Sequence, residues 1–140
     1  MTKSRLSFVI ATGLLLAVVL ACNVSTANLS SVKISKDKTA SSETSSFGPN
    51  DTVYAVGTVA NAPGKVKVKG LLAFEDVEGQ KQGPIPGLEK TLELEGSGTA
   101  TYTFSPPPDG WPKGKYKIEV ILLDDAGAEK DKKSGTFSVS

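Results

Sequence analysis

From Asp51 to the end of the chain, apolar residues recur at every second position. Tyr116, Ile118, Val120 and Leu122 alternate with Lys115, Lys117 and Glu119. Lys65-Val66-Lys67-Val68-Lys69 alternates strictly, and Leu72 and Phe74 carry its apolar set onward. Leu88, Leu92 and Leu94 alternate with Glu89, Thr91, Glu93 and Glu95. Successive side chains on a strand point to opposite faces, so this pattern describes strands with one dry and one wet face. Thr52 to Ala60, Thr101 to Phe104, and Phe137 with Val139 add three further β-branched or aromatic runs. No segment after residue 22 sustains an apolar period of 3.6, which excludes a helical core.

Turn-forming clusters separate these runs: Asn61 to Gly64, Gly79 to Gly87, Gly96 to Gly98, Pro106 to Gly114, and Asp124 to Lys133. Six clear strands, with a seventh at 31–36 where Val32 and Ile34 alternate with polar residues, fit an all-β fold. The expectation is a single antiparallel β-sandwich over 51–140, with an open barrel as the alternative.

The remaining composition mainly excludes. There is no histidine, which removes the commonest general base and zinc ligand. There is a single cysteine, Cys22, so no intramolecular disulfide can form. Lys3 and Arg5 are the only basic residues in the first 21; beyond them stand 14 lysines and 15 acids, with no arginine. A net charge of about −1 without arginine does not describe a nucleic-acid binder, and no nucleic-acid partner is expected.

The N-terminus has three parts. Lys3 and Arg5 give a positive start, Leu6 to Leu20 is nearly all apolar, and Val19-Leu20-Ala21-Cys22 follows. This is the layout of a secretory signal peptide over residues 1–21. The apolar run is shorter than the ~20 residues that span a bilayer as a helix, which sets a retained anchor as the lesser alternative. Val19-Leu20-Ala21-Cys22 resembles the lipobox of bacterial lipoproteins, although leucine and a small residue are more usual where Val19 and Leu20 stand. The resemblance implies cleavage after Ala21 and diacylation of Cys22, which would then bind the mature chain to a membrane. Val19-Leu20-Ala21 would also suit an ordinary signal peptidase, leaving Cys22 as a free thiol. The position of the sole cysteine at the cut favours lipidation. Asn23, where enterobacterial lipoproteins retained at the inner membrane tend to carry aspartate, implies the outer membrane or cell surface. Residues 22–50 are rich in Ser, Thr, Asn and Lys and are expected to form the lipidated cysteine and a flexible tether. The sequons at Asn23, Asn28 and Asn50 follow from that composition.

The run Gly110-Trp111-Pro112-Lys113-Gly114-Lys115-Tyr116-Lys117-Ile118-Glu119-Val120 resembles the start of the penultimate strand in bacterial immunoglobulin-like and fibronectin-III-like modules. The resemblance implies an immunoglobulin-like sandwich and gives Tyr116 a structural role, its hydroxyl bonding a nearby backbone group. Such modules usually bind, space or scaffold.

Few residues could carry chemistry. Asp124, Asp125, Glu129 and Asp131 place four carboxylates within eight residues, a weak calcium candidate whose spacing fits no EF-hand. The plain alternative is a solvated hairpin loop. Glu75, Asp76 and Glu78 form a lesser acidic group. Trp111, the only tryptophan, sits among prolines and is either a stacking anchor for a glycan or peptide or a cap over one end of the core. Lys65, Lys67 and Lys69, with Lys115 and Lys117, could face an anionic surface, but read more simply as solvated faces that discourage edge aggregation. Ser134 follows Lys133, an adjacency that makes no dyad. With no nucleophile–base pair and no phosphate loop, no enzyme and no cofactor are expected. The leading expectation is a membrane-anchored, non-catalytic binding or scaffold module at the cell envelope, contacting protein or glycan. An accessory subunit of an envelope complex, or less readily a carboxylate-dependent hydrolase, would be the alternatives.

Overall fold

A computed structural model describes residues 26–140. The expected signal segment, Val19-Leu20-Ala21, Cys22 and Asn23 lie outside the described residues. Eight strands follow in order: β1 (Asn28–Ser35), β2 (Ser46–Phe47), β3 (Val53–Ala60), β4 (Val66–Val77), β5 (Gly83–Leu94), β6 (Gly98–Phe104), β7 (Gly114–Asp124) and β8 (Glu129–Val139). They form two sheets, β1-β3-β6 and β2-β8-β7-β4-β5, packed as a sandwich. All pairings are antiparallel except β2 with β8, which is parallel. This is the expected immunoglobulin-like sandwich, with one more strand than expected and two sheets instead of the alternative open barrel.

Each strand turns its apolar alternate residues inward. Val66, Val68 and Leu72 of β4 and Tyr116, Ile118, Val120 and Leu122 of β7 meet Val53, Ala55 and Val59 of β3 and Ala100, Tyr102 and Phe104 of β6. The register pairs Val68 with Leu122 and Leu72 with Ile118, so the inward faces of both central strands coincide. A slip of one residue would turn Lys117 and Glu119 into this core.

The stretch expected to be a tether, 22–50, is folded from β1 onward. β1 pairs with β3 from Asn28↔Ala60 to Ser35↔Tyr54, longer than the expected 31–36. Ile34, Ala40 and Phe47 are buried. Apart from buried Ser35, the described serines and threonines of this stretch are at least partly exposed, so its polar composition reflects exposure and not a lack of fold. The sandwich therefore includes β1 and β2, ahead of the expected start at 51.

β2 brings Phe47 onto Phe137, edge to face at 5.1 Å between ring centroids. Phe137 stacks on Tyr116 at 5.1 Å, and Tyr116 meets Trp111 edge to face at 5.9 Å. This row of aromatics closes one end of the core. The Tyr116 hydroxyl donates to the carbonyl of Pro112 at 2.5 Å, which is the backbone bond expected of this residue and the corner found in immunoglobulin-type domains.

Candidate functional site

Trp111 is only 4% exposed. Its Nε1–H donates to the carbonyl of Asp51 at 2.8 Å, and its backbone N–H donates to the carbonyl of Pro49 at 2.7 Å. Gly110, at φ 83°, makes the turn that tucks the indole under the 49–51 segment. Trp111 thus caps the core, and the stacking-anchor reading is withdrawn because its ring has no open face.

The acidic hairpin is equally committed. Asp124 Oδ1 accepts from the Ala128 N–H at 2.8 Å, and its Oδ2 pairs with Lys130 Nζ at 3.5 Å. Asp131 reaches the other sheet: its Oδ2 accepts from the Leu29 N–H at 2.8 Å, while its Oδ1 accepts from the Lys132 N–H. Backbone donors hold both carboxyls below the usual aspartate range, Ala128 in one case and Leu29 in the other. Asp125 and Glu129 are exposed. Among the described residues no three acidic, histidine or cysteine side chains come together as a metal cage. The calcium candidate Asp124, Asp125, Glu129, Asp131 is therefore not assembled. Asp124 locks a tight turn, and Asp131 fastens β1 to β8.

Lysines of these rows form ion pairs within and across strands. Lys65 meets Glu93 at 3.5 Å, Lys69 meets Glu89 at 3.5 Å, and Glu119 is shared by Lys117 and Lys132, each at 3.4 Å. The outer face of the five-stranded sheet is thus a mesh of paired charges. Each such exposed pair contributes ~0–1 kcal/mol.

Two surfaces remain. The first is a groove of about 330 Å³ between β1 and β8, with Val32, Ile34, Thr44, Gly135 and Thr136 on its walls. Gly135 lets the strands approach, since a Cβ there would lie 2.9 Å from Ile34 Cδ1. The second is the outer face of the three-stranded sheet. Register places Ser31, Thr58 and Thr99 in one row, Lys33, Val56 and Thr101 in the next, and Ser35, Tyr54 and Thr103 in a third, with Ser35 and Val56 themselves buried. Lys33 is its one charged residue. Sequence reasoning missed this face. Its one signal was Thr99-Ala100-Thr101-Tyr102-Thr103, threonine at alternate positions.

No protein-family model matches the sequence, and no curated protein matches it. Solved structures do resemble the fold. A β-D-mannosidase from Dictyoglomus thermophilum matches 81% of this chain at 19% identity and a TM-score of 0.53, over 13% of its own length. A β-glucuronidase from Bacteroides uniformis matches 82% at 16% identity and a TM-score of 0.52, over 14% of its length. A cycloisomaltooligosaccharide glucanotransferase from Paenibacillus matches 82% at 16% identity and a TM-score of 0.51, again over 14% of its length. The chain therefore spans about one seventh of these enzymes, and what it shares with them is the β-sandwich fold of one small part of each.

Proposed function

We propose that this chain is a lipid-anchored, non-catalytic binding module of the bacterial cell envelope. The observation that carries the reading is the position of Cys22. The only cysteine ends the apolar run, four residues before Thr26, whose Oγ1 donates to the Asn61 carbonyl at 3.0 Å, and Ala27 beside it is buried. Four residues reach at most ~14 Å. An acylated Cys22 would hold the sandwich close against the bilayer by the end where β1 starts. Two or three acyl chains suffice for firm anchoring, since each buried methylene contributes ~0.8 kcal/mol.

The non-catalytic part of the reading is supported by how the candidate carboxylates are used: Asp124 and Asp131 are bound to backbone N–H groups, and Glu119 to two lysines. Sandwich parts of about this size occur within much larger glycosidase chains, which is consistent with a module that assists instead of reacting. Expression of the full chain and of Cys22→Ser, followed by membrane fractionation and intact-mass analysis, tests the proposal. Wild type should be found in the membrane, cut before Cys22 and heavier by its acyl chains. A Cys22→Ser protein that is still processed and retained by the membrane in the same way would sink the lipid-anchor reading.

A further inference from the structure

We propose that the outer face of the three-stranded sheet is a binding surface for an uncharged polysaccharide. The inference rests on the reading of the chain as a binding module and not on acylation of Cys22. Three observations meet on this face. Thr99, Thr101 and Thr103 are exposed at alternate positions of β6, beside Thr58 and Tyr54 of β3. Alternate residues of a strand repeat every ~6.8 Å and neighbouring strands lie ~4.8 Å apart, so the hydroxyls form a regular flat grid.

The hydroxyls are also unused. Among the described residues, Thr58, Thr99, Thr101, Thr103 and Tyr54 have no side-chain hydrogen-bond partner, and none of these side chains is sealed from solvent. The other two tyrosines both donate to carbonyls, Tyr102 to Val68 and Tyr116 to Pro112. Among the described residues Tyr54 alone of the three makes no such bond, and its ring, partly exposed, offers an apolar surface for stacking.

The distribution of charge selects the occupant. Four of the six ion pairs lie on the opposite face of the sandwich, and none lies on this one, again among the described residues. On the three strands themselves an acidic or basic partner would meet only Lys33, with Glu89 and Lys90, of opposite sign, together beside Thr103 at the border of the face. A neutral chain of sugar hydroxyls meets donors and acceptors of its own kind, an aromatic ring, and the threonine methyls.

Affinity electrophoresis of the full-length, detergent-solubilised protein in gels containing dextran, xylan or mannan tests the inference, with polygalacturonate as the charged comparison. At least one neutral polysaccharide should retard the protein. Tyr54→Ala should weaken that retardation by about tenfold or more, as loss of a central aromatic contact does. Thr101→Lys, at an exposed position that does not threaten folding, should weaken it as strongly. Lys67→Ala, on the opposite face, should leave it unchanged. No retardation by any of the three neutral polysaccharides overturns the proposal. So does retardation by polygalacturonate alone, or retardation that Lys67→Ala reduces as much as the two face variants. Because the assay uses protein already extracted from the membrane, failure here leaves the anchor reading standing. Failure of the Cys22→Ser test likewise leaves this one standing.

Discussion

Gly70 of β4 lies directly beneath the ring of Tyr102 of β6. A Cβ at Gly70 would stand 2.7 Å from Cδ1, Cε1 and Cζ of that ring at once. The ring cannot swing aside, because its hydroxyl donates to the Val68 carbonyl at 2.5 Å and the side chain is 2% exposed. The two sheets therefore touch here through glycine backbone and aromatic face.

It follows that Gly70→Ala forces either the ring or β4 to move. Overpacking of this kind costs about 1–3 kcal/mol. Gly57→Ala, where the nearest atom is Val120 Cγ1 at 3.1 Å, should be milder because a single methyl can yield. Urea unfolding of both variants checks the order. A Gly70→Ala protein as stable as wild type would mean that the sheets are not in this contact.

Ile118 is fully buried, whereas the Lys117 side chain is 37% exposed and only pairs with Glu119. Ile118→Ala should cost about 2–5 kcal/mol, the range for a buried aliphatic. Lys117→Ala should shift stability by less than ~0.5 kcal/mol, since Glu119 keeps Lys132. Chemical denaturation of the pair checks this together, and equal losses would contradict the inward register of β7.

What could be read in advance follows from where each strand sits. β4 and β7 lie inside the five-stranded sheet, with a dry face and a wet face, so their alternation is clean and Tyr116 to Leu122 were legible. Edge strands carry weaker patterns. β5 runs from Gly83, although Gly83 to Gly87 reads as a turn; Pro84 and Pro86 are tolerated because β5 pairs only with β4. β8 starts at Glu129, and only its last residues, Phe137 and Val139, are fully buried, so its charged half looked like loop. The hydroxyl face was illegible for a different reason. It is made by three strands far apart in sequence, and pairing partners are not written in local composition.

Acid should weaken the hold of β8 on β1. The Leu29 N–H, then the Lys132 N–H and the nearby Lys133, hold the Asp131 carboxyl below its ordinary value. A depressed pKa stabilises the fold above the unfolded-state value of ~3.9, and that stability is lost as pH falls through the folded value. Asp131→Asn keeps an oxygen for Leu29 but cannot titrate. It should be less stable than wild type at neutral pH, with the gap narrowing below about pH 4. Unfolding curves at several pH values check this, and a gap independent of pH would remove Asp131 from the acid response.

The opposite end of the pH scale tests the two bonded tyrosines. Burial raises the Tyr102 hydroxyl well above its ordinary value and pushes that of Tyr116 up to about 12. The neutral phenol is the form the fold holds, so the stability it contributes is complete below the unfolded-state value of ~10 and is lost as pH rises toward the folded values. The slope of wild type alone decides nothing. The comparison of variants does. Tyr102→Phe and Tyr116→Phe each lose one hydrogen bond and should be less stable at neutral pH by about 0.5–1.5 kcal/mol. Neither can ionise at that position, so each should lose less further stability than wild type between about pH 9 and pH 11. Melting temperatures across that range measure the slopes. Phe variants as steep as wild type would show that the two hydroxyls ionise in the folded state as freely as in the unfolded chain, which their burial and their bonds to Val68 and Pro112 forbid.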